Sequence, residues 1–138
     1  MSNIGELDLL YKVYGQIVTS VDIAIEFGDI LPDWIEIVEV KDKFRQQILE
    51  MLIDKGESSA IALALETPDC RIILDDFKAR KIAFQLGLTF TGTIGVLVRA
   101  KLKGTISSIR PILGKIKQTD FRLSGEVELL ALKEAGEL

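Results

Sequence analysis

The chain has 138 residues, a formal net charge of −4, 48% apolar and 28% charged residues, one cysteine and no histidine. That length sustains one domain with a real core. The missing histidine excludes His-based triads, His–metal sites and His general bases, and the single Cys70 excludes an intrachain disulfide.

In chain order, Glu6 to Tyr14 reads as a short helix with Leu7, Leu9, Leu10 and Val13 as its apolar positions, closed by Gly15. A short strand follows at Gln16–Val18. Thr19 or Ser20 then offers an N-cap, with Asp22 as a capping-box acid, for a helix that runs to Phe27 and stops at Gly28. Leu31-Pro32-Asp33 is a turn, and Ile35–Val40 is a strand with partial alternation. Lys41 to Ile53 is helical, with Phe44, Ile48, Met51 and Leu52 at three- and four-residue spacing, and Gly56 is expected to interrupt it. Ser58–Leu65 is a small-residue helix suited to close packing on a sheet. Arg71–Leu74 is a buried strand, Asp76–Leu86 a helix ended by Gly87, Leu88–Thr91 a strand, and Thr93–Lys103 a helix closed by Gly104. Ser107–Thr119 and Ser124–Glu134 are two further helices with Ser N-caps.

Strands that alternate with helices point to an α/β domain with a parallel sheet covered on both faces. No linker, repeat or low-complexity segment interrupts it, so the expectation is one domain over residues 1–138. No apolar run approaches the roughly 18 residues that span a bilayer, and no signal pattern opens the chain, so the expected location is cytoplasmic. Charge is uneven: Arg71–Arg122 holds eleven Lys/Arg against three Asp/Glu. A basic half inside an acidic chain is compatible with binding a phosphate backbone, and equally with solvated helix faces.

In open α/β sheets a site lies beyond the carboxyl ends of the strands. The junctions here offer Glu26, Glu57, Asp75 and Asp76, together with Thr91-Gly92-Thr93. Carboxylate oxygens are the hard ligands that Mg²⁺ or Mn²⁺ requires, and such an ion activates water without any histidine. Each residue also has a structural alternative. Acids favour helix N-termini, the two threonines can serve as caps, and Lys78, Arg80 and Lys81 can be ordinary surface charges.

Three blocks narrow the choice. Gly56-Glu57-Ser58-Ser59-Ala60-Ile61-Ala62, then Leu74-Asp75-Asp76-Phe77-Lys78-Ala79-Arg80, then Thr91-Gly92-Thr93 follow one another at short intervals. Together they resemble the PIN-domain family, in its branch related to VapC toxins, over nearly the whole chain. The resemblance implies a three-layer α/β/α fold with a short parallel sheet. It implies a Mg²⁺- or Mn²⁺-dependent ribonuclease of toxin–antitoxin type, with RNA as substrate and an antitoxin protein as partner. It assigns Glu26, Glu57 and Asp76 as catalytic metal ligands, with Asp75 beside them, Thr91 and Thr93 in support, and Lys78, Arg80 and Lys81 as contacts to nucleic acid. For Arg80, an ion pair that holds its helix is an equal alternative.

The chain also departs from the family pattern. Members open with a central strand that ends in Asp, and here Met1-Ser2-Asn3 stands where that strand should end. The expectation is a sheet lacking its usual first central strand. Either the flanking strands close up or another chain covers their edges, which makes an oligomer the natural outcome. A catalytically inactive module that binds RNA or protein is the alternative function.

Overall fold

The structure, a computed structural model, describes residues 6–119 and 121–138. The departure at Met1–Asn3 therefore falls outside the described residues. Helices and short parallel strands alternate as expected, and they divide into two compact units, one of which is Gln16–Gly92.

That unit begins with β1 (Ile17–Ser20), which runs two residues beyond the expected strand. The strand leads straight into α2 (Val21–Phe27), whose N-cap is Ser20; its hydroxyl accepts from the Ile23 amide at 3.1 Å. The expected capping role of Asp22 is not observed. Its carboxylate instead accepts from Gln46 Nε2 at 2.5 Å, which ties α2 to the following helix. Gly28 ends α2 in the left-handed conformation (φ 71°) that glycine adopts without strain.

β2 (Ile35–Val38) pairs with β1 in parallel, Ile17 opposite Ile35 and Ser20 opposite Val38. α3 (Lys43–Glu50) is shorter than expected and buries Gln46 and Leu49. Its three- and four-residue apolar row, Phe44, Ile48, Met51 and Leu52, is exposed. α4 (Lys55–Leu65) is the hub: it packs against α2, α3, β1, β3 (Ile72–Ile73) and α5 (Phe77–Gln85). Gly56 does not interrupt a helix but lies inside the first turn of α4. The small side chains of α4 permit this many close approaches, with Ser58, Ser59, Ile61 and Ala62 all fully buried. The core around it includes Val40, Leu49, Leu63, Ile72, Leu74, Ala79 and Ala83.

β3 pairs in parallel with β4 (Phe90–Thr91), Ile72 opposite Phe90. Among the described residues the four strands thus make two separate pairs, β1–β2 and β3–β4. The flanking strands have not closed up on one another. The Ile72 and Leu74 amides donate to Thr89 and Thr91 of the β4 side, so by strand alternation the Ile73 amide and carbonyl face the opposite edge, which pairs with no strand among the described residues.

The second unit is formed by the described residues up to Gly15 and from Thr93 onward. α1 (Asp8–Tyr14) and α8 (Gly125–Glu134) both pack on α6 (Thr93–Leu102). With α7 (Arg110–Lys117) they enclose Leu9, Leu97, Ile109, Leu113, Ile116 and Leu132. Ser124 caps α8 as expected. α7 lacks its expected Ser cap: Ile109 holds that position with no side-chain cap bond, and Ser108 donates instead to Glu137.

Candidate active site

The acids of unit 16–92 reach their positions by three local devices. Glu26 sits near the end of α2, and its carboxylate lies against the bare backbone of Gly56. A Cβ at Gly56 would meet the Glu26 Oε2 at 2.6 Å and the Oε1 at 2.8 Å. Glycine in the first turn of α4 is therefore what lets the two helices bring Glu26 beside Glu57. A pair of buried hydroxyls holds the same junction. Ser20 Oγ and Ser59 Oγ are 2.6 Å apart, and Ser59 donates to the Gly56 carbonyl at 2.6 Å.

Asp76 is the N-cap of α5, accepting from the Ala79 amide at 3.0 Å. Its capping role is thus real, and its carboxylate also lines an open cleft of about 430 Å³. Leu52, Ile53, Asp54, Glu57, Phe77 and Lys78 line the rest. Burial, then Asp76, Asp54 and Glu26 in turn, push the Glu57 carboxyl above its ordinary value. Glu57 takes part in none of the ion pairs found among the described residues. Asp54, Glu57 and Asp76 thus line one cleft, and Glu57 feels both of them and Glu26.

Of the other candidates, only Lys78 lines the cleft. Asp75 turns toward Gly92, where a Cβ would lie 2.7 Å from its Oδ1 and 3.7 Å from Arg80 Nη1. The Arg80 guanidinium also stacks over the Phe90 ring at 5.0 Å. Asp75 and Arg80 thus meet at the Gly92 turn, and neither lines the cleft. Thr91 is half-buried in β4 opposite Ile73. Thr93 is buried at the start of α6, in the other unit. Lys78 lines the cleft and Lys81 is exposed on α5. Asp54 was missed by sequence reasoning, although it lies only three residues before Glu57 and is the backbone cap position of α4. Leu52 and Phe77 were missed as cleft residues too.

Carboxylate oxygens are the donor type that a divalent cation takes, and such an ion would offset the negative charge that acts on Glu57. No group of three His, Cys, Asp or Glu among the described residues is arranged to hold a metal ion. The fit is thus one of charge and donor type.

The family model described as DUF3368, PIN domain, matches residues 1–137. The chain belongs to the PIN-domain family. PIN domains are nuclease-type domains that generally use divalent metal ions, and the alternating helices and short parallel strands here are those of a PIN-like α/β/α fold. Neither the curated proteins nor the solved structures supply a match. No helix among the described residues is long and apolar enough to cross a membrane.

Proposed function

We propose that this PIN domain is a toxin-type endoribonuclease that uses Mg²⁺ or Mn²⁺, with Glu26, Glu57 and Asp76 holding the ion and Asp54 adding negative charge. The observation that carries this reading is the PIN-domain match over residues 1–137, together with a cleft lined by Asp54, Glu57 and Asp76. When bound, the ion supplies an activated water and neutralises charge that grows on a phosphodiester. The chain's own part is to hold the carboxylates in place through the Gly56 contact, the Ser20–Ser59 hydroxyl pair and the Asp76 cap. Lys78 at the cleft offers a cation to a substrate phosphate. RNA is the proposed substrate and an antitoxin protein a proposed partner. Self-association is proposed as well, through the edges of β1 and β3 that pair with no strand among the described residues, since an unpaired strand edge is a template for another strand.

A second reading is a catalytically inactive module that binds RNA or protein. It is favoured by the lack of a ready three-carboxylate metal group among the described residues. One pair of assays separates the two. The nuclease reading predicts that Mn²⁺ raises the melting temperature of the wild type, that Glu57→Gln loses most of this rise, and that RNA is cut only with metal present. The inactive reading predicts no metal-dependent cleavage and RNA binding that persists in EDTA and weakens with salt.

A further inference from the structure

α5 has a feature that metal chemistry does not use. Its inner face is small and buried, at Ala79 and Ala83. On its outer face Phe77 is 79% exposed and Phe84 76% exposed. Phe77, Lys81 and Phe84 are spaced i, i+4 and i+7, so they form one row over two helical turns, roughly 10 Å long. Lys78 flanks the row, and no carboxylate pairs with Lys78 or Lys81 among the described residues. The row also has a direction, because Phe77 and Lys78 line the cleft that holds Glu57 and Asp76.

A second exposed apolar row of this unit, on α3, differs in composition and charge. It has one aromatic, and its cationic neighbours Lys43 and Arg45 are engaged by Glu39 and Asp42. An aromatic–cation–aromatic row that ends at a cleft is complementary to a flexible polyanion carrying flat rings. Bases stack on the phenyl faces while the phosphates between them meet the ammonium groups. A duplex keeps its bases stacked inside and offers nothing to the rings.

We propose that Phe77, Lys81 and Phe84, with Lys78, form a stacking track that binds single-stranded nucleic acid and leads it into the cleft. The direction of travel rests on the ribonuclease reading; the binding does not.

The test uses the full chain and fluorescence anisotropy, with a short labelled RNA, single-stranded or paired to its complement, in EDTA and in Mg²⁺. Phe77→Ala and Phe84→Ala should each weaken single-strand binding by roughly 5- to 100-fold, with unchanged melting temperatures because both rings are exposed. Phe84→Trp should restore binding, and Lys81→Gln should reduce the salt dependence by about one phosphate contact. Duplex binding should be weaker and indifferent to the Phe variants. Equal single-strand affinity in the wild type and in Phe77→Ala/Phe84→Ala overturns the track, as does a double variant that loses only self-association. Phe-dependent binding without metal-dependent cleavage keeps the track and removes the nuclease reading. Cleavage that is indifferent to both Phe residues does the reverse.

Discussion

Gly56 and Glu57 show how two adjacent residues set the character of the cleft. Glycine is disfavoured in a helix by about 1 kcal/mol against alanine, so Gly56→Ala should gain propensity. Its new Cβ would displace the Glu26 carboxylate, the mobile end of a long side chain, and not the backbone. The expected outcome is a melting temperature shifted by little and a Mn²⁺ affinity lowered several-fold, read by calorimetry. Glu57 binds its proton more tightly in the folded chain than in the unfolded one. Stability therefore falls as pH rises from the ordinary value of 4.5 through the higher folded value. Glu57→Gln should raise the melting temperature at neutral pH, and the gain should vanish below that window, where both states are protonated. Glu57 and Asp76, which line the cleft, could be singled out in the sequence because each lies in one of the blocks that follow one another in the chain. Asp54 and Phe77 were not, because one resembles an ordinary helix cap and the other an ordinary core aromatic until exposure is known.

Between elements, buried hydroxyls and one tail carboxylate make the connections. Ser20 and Ser59 are nearly inaccessible and bonded to each other across the β1–α2 junction and α4. Ser59→Ala leaves the Ser20 hydroxyl buried with one partner fewer and should cost about 1–3 kcal/mol in denaturant unfolding. In the other unit, the Glu137 carboxylate accepts from Ser108 Oγ, the Ile109 amide and Lys101 Nζ, which hold it below its ordinary value. That contribution is present above pH 4.5 and lost as pH falls through the lowered value. Glu137→Gln should therefore lower the melting temperature at neutral pH, with the difference closing on acidification. Most elements were legible because glycines punctuate them, Gly15, Gly28, Gly87 and Gly104 all standing at positive φ. α3 was legible as a helix but not in its orientation. Its apolar spacing marks the outer face, while its inner face rests on Leu49 and on Gln46, which reaches Asp22. No periodicity reports a polar side chain turned inward to bond.

Over the whole chain, charge and strand pairing bear on function. Four of the eleven basic residues of Arg71–Arg122 are answered by carboxylates within the unit that holds Thr93 onward: Lys115 pairs with Glu6 and Lys117 with Glu128, both at 2.6 Å, while Lys101 and Arg110 converge on Glu137. The count of basic residues overstated the free positive charge, since partners distant in sequence are invisible to it. Among the described residues the four strands form two parallel pairs, β1–β2 and β3–β4, a division that no feature of the composition signals. The central claim is that the carboxylates around Glu57 form a metal-dependent nuclease centre. It is tested most directly by RNA cleavage in Mn²⁺ by the wild type and by Asp76→Asn, since asparagine keeps the helix cap and removes only the charge. The expected result is cleavage by the wild type that EDTA stops, and none by the variant at an unchanged melting temperature. Equal cleavage by the two proteins, or none by the wild type with Mn²⁺ bound, would contradict it.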